Sequence, residues 1–243
     1  MTIEVTRREA GLLASIASGL LSLGGAGAAT AASGAARLRL DHIVWAVPDL
    51  EEGRRQIETW TGILPVLGGH APGATQSHNA LASLGGGTYL EVFAPRVAMR
   101  SGRWLDLVSD GKPHIASYAL RTNGFDALLK AVPNVGLSPS GPRAMGRVRA
   151  DGGELNWKLL NVSGSALDDS LPFFIDWLGS KPHPSEDSPQ GIALERFEVN
   201  HPDADQLRRI FSALAIDIPV QRADKPSFAA RLRTPKGPLI LQS

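Results

Sequence analysis

The 243-residue chain contains no cysteine. That excludes disulfides and thiolate nucleophiles, and it leaves His, Asp and Glu as the side chains to hold any metal. Charge of one sign is also scarce: 25 Lys and Arg against 24 Asp and Glu leave a net charge of +1. No basic run interleaved with aromatics offers a surface for nucleic acid. The G-x-S-x-G elbow, the H-E-x-x-H helix and the Walker A loop are missing, and with them the usual local signals of hydrolases, zincins and P-loop NTPases. Gly24-Gly25-Ala26-Gly27 neither follows a strand nor opens a helix, so it fails as a dinucleotide loop. The apolar runs are too short for a stable membrane span. What the chain does have is 43% apolar residues, enough to bury a good core as one large or two small domains.

Residues 1–36 differ from the rest. Thr6-Arg7-Arg8 precedes an Ala, Leu, Ile, Gly and Ser run from Ala10 to Leu23, and small residues follow to Ala36. With an A-x-A site at Ala29-Thr30-Ala31 or Ala26-Gly27-Ala28, these are the parts of an export signal. The paired arginines resemble the twin-arginine signal, although Glu9 and Ala10 depart from its pattern. Export to the periplasm is the expectation, and a cytoplasmic protein with an uncleaved leader is the alternative.

Beyond the leader, a pattern of strand, helix and strands recurs at intervals of roughly 75 to 80 residues. The first unit has strand 39–47, a helix from about Asp49 to Trp60, a short strand near Leu64 to Gly68, and strands His78–Leu84 and Thr88–Ala94 around Gly85-Gly86-Gly87. The second has strand His114–Arg121, and a helix opened by Asn123 with Phe125, Leu128, Leu129 and Val132 at helical spacing. Strands near Met145–Ala150 and Glu154–Leu160, and then LPFFIDW at Leu171–Trp177, complete it. The third runs from Ile192 to Asn200, through a helix from about Asp203 to Leu214, to strands 227–233 and 238–242. Pro95–Pro113 and Gly179–Gly191 read as connectors, with His183 as a loop residue. The architecture expected is α+β: curved, mostly antiparallel sheets around a cleft, helices outside, and a third partial βαββ module.

Chemistry centres on RLDHIVWAVPDL, where His42 sits within a strand. A histidine there is hydrogen-bonded in the core, catalytic, or metal-bound. Alternation puts His42, Val44 and Ala46 on one face; Tyr89, Glu91 and Phe93 on one; His114, Ala116 and Tyr118 on one; and Phe174 and Asp176 on one. If the cleft takes these faces, two imidazoles and two carboxylates converge as a shell for Zn, Ni, Fe or Mn. Glu91, inside YLEVF, needs a cation, a donor or water beside it. Arg143, Arg147 and Arg149 alternate along a strand, as surface residues or as anchors for an anionic ligand.

RLDHIVWAVPDL, followed by HNALASLGGGTYLEVFAP and LPFFIDW, resembles a glyoxalase-like domain of the vicinal-oxygen-chelate superfamily over residues 38–185, with modules at about 38–95 and 113–178 and the third unit at 191–243. The resemblance implies paired βαβββ modules whose first and last strands supply metal ligands, here His42 and Glu91, joined by His114 and Asp176. In module two the pattern asks for its first-strand ligand nearer Ile115 or Ala116 than His114. It implies a small-molecule enzyme of isomerase, lyase or dioxygenase type, in which the metal polarises vicinal oxygens and Glu91 moves a proton. The alternative, resembling drug-binding members, is a metal-free protein that sequesters a small molecule with Trp45, Tyr89, Phe93 and Phe174. The superfamily also admits a homodimer.

Overall fold

The computed structural model describes residues 38–69, 77–96, 108, 111–149, 152–164 and 166–243. The expected leader, most of the first connector, and Asp151 in the turn of the second hairpin lie outside the described residues.

The first module begins with β1 (Arg39–Ala46), nearly all of it buried. Pro48 ends the strand, and Asp49 caps α1 (Leu50–Thr61) by accepting from the Glu52 backbone N–H at 2.9 Å. Glu51 and Glu52 sit in the first turn, where they complement the helix dipole, and left-handed Gly62 closes the last turn. Gly53 lets α1 lie close to the sheet, because a Cβ there would fall 2.7 Å from the Val47 methyls. Strands β2 (Val66–Leu67), β3 (Ser77–Ser83) and β4 (Tyr89–Pro95) follow, with Gly85, Gly86 and Gly87 all at positive φ in the tight turn between the last two.

The second module repeats the order: β5 (His114–Arg121), α2 (Asp126–Ala131), β6 (Ser138–Val148), β7 (Glu154–Ser163) and β8 (Phe173–Asp176). Its α-helix ends at Ala131, ahead of Pro133, and the chain goes on as a 3₁₀ turn, Val132–Val135, with the proline in its first turn. The eight strands form one sheet in the order β2-β3-β4-β1-β5-β8-β7-β6. Within each module the first and last strands pair in parallel, and β1 and β5 pair antiparallel between modules. Although β2 and β6 are the two ends of this order, they meet: a Cβ on Gly69 would lie 2.7 Å from the Val148 carbonyl oxygen. The sheet therefore curls until its edges touch, and its inner face becomes the cleft.

The third unit runs β9 (Ala193–His201), α4 (Ala204–Ala213), β10 (Val220–Arg222), β11 (Ser227–Thr234) and β12 (Gly237–Gln242). It has one more strand than the sequence suggested, β10. It forms a separate sheet ordered β10-β9-β11-β12, so its first strand lies inside the sheet and not beside its last. Phe197 and Phe228 from this sheet flank Tyr118 of β5, with ring centroids 4.9 and 5.5 Å away. Burial of each such ring contributes about 1.5–3 kcal/mol. This sheet and the helices cover the outer face of the curled sheet and leave the inner face for chemistry.

Candidate functional site

Both faces of β1 are apolar, and its register decides what points into the cleft. Leu40 pairs with Leu120 but His42 pairs with Ala119, so Asp41 is an extra residue in a β-bulge. A bulge turns two successive side chains to one side, and Asp41 and His42 accordingly lie against each other on the inner face. His42 Nδ1 is 2.7 Å from Asp41 Oδ1, and its Nε2 is 3.5 Å from Glu91 Oε2. Asn79 Nδ2 donates to Glu91 Oε1 at 2.5 Å. The His42 ring stacks on Tyr89 at 4.7 Å and meets the edge of Phe173 at 5.3 Å.

Asp41 is fully buried, accepts from three donors and has one ion-pair neighbour. Besides His42, His183 Nε2 lies 3.0 Å and Trp177 Nε1 3.1 Å from Oδ2, with Arg121 Nε at 3.7 Å. Burial by itself raises the pKa of this carboxyl, but hydrogen bonds from His183 and His42, together with their charges, hold it well below the usual carboxylate range. A carboxylate can only accept, so His42 Nδ1 carries a proton and Nε2 is the nitrogen presented to Glu91. His183 has the opposite tautomer: its Nε2 donates to Asp41, while its Nδ1 accepts from the Ser185 backbone N–H at 3.2 Å. That ring is fixed by its position as the cap of α3 (Pro184–Asp187), where Glu186 returns a contact to the His183 backbone N–H at 3.2 Å.

His183 was expected to be a loop residue, and the structure instead buries it against Asp41. The signal for it was the spacing His183-Pro184-Ser185-Glu186, a capping box with histidine in place of serine. Asp41 and Trp177 were also missed as partners of His42. A cavity of about 540 Å³, lined by residues including Arg39, Arg121, Asp176, Lys181 and His183, opens at the Oδ2 side of Asp41, and neither His42 nor Glu91 lines it.

The second module does not supply what the first does. Both ends of β5 lie 75 residues after the corresponding ends of β1, 39 to 114 and 46 to 121. The bulge recurs at the same offset, for Val44 pairs with Ser117 and Trp45 with Ile115, leaving Ala116 as the extra residue. Ala116-Ser117 thus stands where module one has Asp41-His42. Likewise Glu91 pairs with Val44 and Phe173 with Ala119, so Phe173 is the counterpart of Glu91.

His114 and Asp176 do not join the site. His114 is paired with Ala46, four residues along the ladder from His42, and its Nδ1 is 3.0 Å from the Lys112 carbonyl. Asp176 is paired with Lys158 and accepts from the Leu178 backbone N–H at 2.9 Å, in register with Phe174 on the opposite side of β8 from Phe173. Two of the expected binding aromatics are also displaced. Trp45 is buried on the outer face, 6.2 Å from Trp60 of α1, and Phe174 is fully buried in that same core. Tyr89 is in the cleft, and Phe93 shares its face beside Ala46. Trp157, Phe173 and Trp177, packed together with Tyr89, complete the apolar wall.

A divalent cation can be tested against these residues. The 3.5 Å between His42 Nε2 and Glu91 Oε2 is close to the roughly 3.4 Å that separates two ligands on a tetrahedral ion with bonds of about 2.1 Å. The Asp41 contact is the kind that orients a ligating imidazole. The other half of the shell is a serine and a phenyl ring. Among the described residues no group of three His, Asp or Glu converges. Two protein ligands fall short of the three that catalytic zinc sites keep, so the donor set among the described residues does not fit a resident ion.

Comparison with known proteins agrees with this architecture. Residues 40–215 match a family described as "Glyoxalase-like domain". A hypothetical protein from Staphylococcus aureus has a similar structure, at 18% identity and TM-score 0.58, over 84% of this chain and 85% of that one. Methylmalonyl-CoA epimerase from Mycobacterium tuberculosis aligns at 19% identity and TM-score 0.39, over 56% of this chain and 85% of the epimerase. No curated protein sequence matches the chain. No helix among the described residues is long and apolar enough to cross a membrane. With two βαβββ modules joined through their first strands, and the family match spanning most of the sequence, the chain belongs to the glyoxalase-like domain family of the vicinal-oxygen-chelate superfamily.

Proposed function

We propose that the chain is a small-molecule enzyme that transfers a proton on an oxygen-bearing substrate, with Glu91 and His42 as the proton-moving pair. The observation that carries this reading is the line Asp41–His42–Glu91: a buried carboxylate fixes one imidazole nitrogen and turns the other toward a half-buried carboxylate in the cleft.

In the simplest step, Glu91 takes a proton from the carbon beside a substrate carbonyl, and the electron pair of that C–H bond moves onto the carbonyl oxygen. The proton can pass across the 3.5 Å contact to His42 Nε2, where the imidazolium lies between two carboxylates. Tyr89 is suited to donate to the oxyanion. Burial first, then the charges of Asp41 and Glu91, push its pKa well above the ordinary value, so its hydroxyl stays protonated, and it has no hydrogen-bond partner among the described residues. Return of the proton to the same face of that carbon gives exchange alone, its delivery to the opposite face or to the former carbonyl carbon gives an isomerase, and loss of a leaving group from the carbanion gives a lyase. Phe173, Trp157 and Trp177 exclude water and bury the substrate's apolar surface. Because the residues do not fit a resident metal, no step is routed through one.

A second reading, a protein that sequesters a small molecule, is favoured by the same aromatic wall. Solvent-deuterium incorporation separates the two. Wild-type protein incubated in D2O with small 2-oxo acids and hydroxyketones is expected to exchange the carbon-bound proton of at least one compound, and Glu91→Gln to slow this about 10²- to 10⁴-fold. Exchange that survives both Glu91→Gln and His42→Asn sinks the proposal, and binding of the same compounds without exchange favours sequestration.

A further inference from the structure

Arg147 belongs to the inner face of β6, opposite Leu155, which packs in the cleft cluster with Tyr89. It is half-buried, and no ion pair or hydrogen bond satisfies its guanidinium among the described residues. Its neighbours on the strand differ: Arg149 is paired with Asp187 at 3.0 Å, and exposed Arg143 reaches the Met145 sulfur at 3.3 Å. Removing a guanidinium from water without an acceptor is costly, and a planar fork with free donors suits a carboxylate or phosphate.

The position of Arg147 follows from the closure of the sheet. Where β2 meets β6, a Cβ on Gly68 would fall 2.8 Å from Arg147 Nη1 and would collide with the Asn79 side-chain oxygen. The absence of a side chain at Gly68 thus leaves one space shared by the guanidinium and the Asn79 amide. Asn79 in turn donates to Glu91. A group held by Arg147 therefore lies one side chain away from the reactive carboxylate. The charges acting on Arg147 include those of Glu91 and Asp187, yet neither is close enough to pair with it.

We infer that Arg147 is the anion anchor of the cleft, so that the ligand carries a carboxylate or phosphate next to the centre facing Glu91. This names the substrate class of the site described above and rests on that reading, but it is measured without turnover. The probes are inorganic phosphate and malonate, with malonamide as the neutral control, titrated into the full chain at constant ionic strength. The readouts are tryptophan fluorescence and the Arg147 Nε–H resonance. Wild-type protein is expected to bind phosphate or malonate saturably and malonamide at least 10-fold more weakly. Arg147→Met should weaken anion binding about 10- to 100-fold, the worth of one charge-assisted hydrogen-bonded contact. Arg147→Lys should recover part of it, which guards against a folding defect in the first variant. Glu91→Gln should tighten anion binding by removing a like charge, while slowing proton exchange about 10²- to 10⁴-fold.

Phosphate binding without malonate binding assigns a phosphorylated ligand, and the reverse a carboxylate. Anion binding that is unchanged in Arg147→Met but lost in Lys181→Met would place the anion in the cavity behind Asp41 and overturn the inference, as would failure of wild-type protein to bind either anion. Proton exchange in wild type without anion binding would leave the catalytic reading standing and remove only the anchor. Anion binding dependent on Arg147, without proton exchange, would do the opposite.

Discussion

Replacing Asp41 with asparagine removes one negative charge from a fully buried position where His42 Nδ1, His183 Nε2 and Trp177 Nε1 all donate. The amide oxygen can still accept, but the amide nitrogen now faces a donor. Hydrogen bonds to a charged group contribute roughly 1.5–3 kcal/mol each, and removing one partner of a buried charged network typically costs about 3–5 kcal/mol. We expect a loss of about 4 kcal/mol at pH 7, which for a domain of this size lowers Tm by roughly 10 °C. The pH dependence has a fixed sign. The folded-state pKa of Asp41 is depressed, so its contribution is present above the unfolded carboxyl pKa of about 3.9 and is lost as pH falls toward the folded value. Equilibrium urea unfolding of wild type and Asp41→Asn, followed by tryptophan fluorescence between pH 7 and pH 3, measures this directly. The difference should hold from pH 7 to about pH 5 and shrink below about pH 4, with the m-value unchanged. A penalty under 1 kcal/mol at pH 7, or one that grows with acidity, would refute the assignment of Asp41 as the buried anion that orders both histidines.

Three further outcomes follow from the same geometry, and a fourth from the leader sequence alone. Ser117→His with Phe173→Glu restores side chains at the module-two counterparts of His42 and Glu91, and should raise the Zn content of chelator-treated, Zn-reloaded protein from well below one to about one per chain by elemental analysis. Gly53→Ala should destabilise the fold by about 1–3 kcal/mol in urea unfolding despite the better helix propensity of alanine, because the added carbon meets Val47. Trp45→Ala should cost about 3–5 kcal/mol of stability and leave malonate affinity in the cleft unchanged by fluorescence titration, since its ring lies on the outer face. Intact mass of the protein from its native host should show a mature chain beginning near Ala32, as a cleaved export signal requires, and a chain that retains Met1 contradicts export.

Much of the fold was legible because its signals are local. Asp49 before an amphipathic run, three glycines between two β runs, and His114–Arg121 as a strand are short-range features, and the structure places elements there. Alternation also put Tyr89 and Glu91 on one face, and the structure brings Glu91 to His42. It could not say which face was the cleft, because each side of β1 and β8 carries buried apolar residues. That is why Trp45 and Phe174 were assigned to binding when they fill the outer core. The bulges were hidden for a related reason: one inserted residue reverses the parity of everything beyond it, so alternation gave no sign that Asp41 lies beside His42, and the second-module register was misplaced. His183 reaches Asp41 across 142 residues, a pairing no local pattern encodes. Strand β10, at three residues, is too short for alternation to reveal.

The proposed chemistry requires His42 to present Nε2, and not Nδ1, to Glu91. Long-range ¹H–¹⁵N spectra of histidine-labelled protein, recorded for wild type and Glu91→Gln, test it at the atoms concerned. The expected spectra show a neutral His42 ring with its proton on Nδ1, an Nε2 without one, and a Glu91→Gln change confined to the Nε2 resonance. A neutral His42 ring with its proton on Nε2, or an Nε2 resonance indifferent to Glu91→Gln, would overturn the proposed pair.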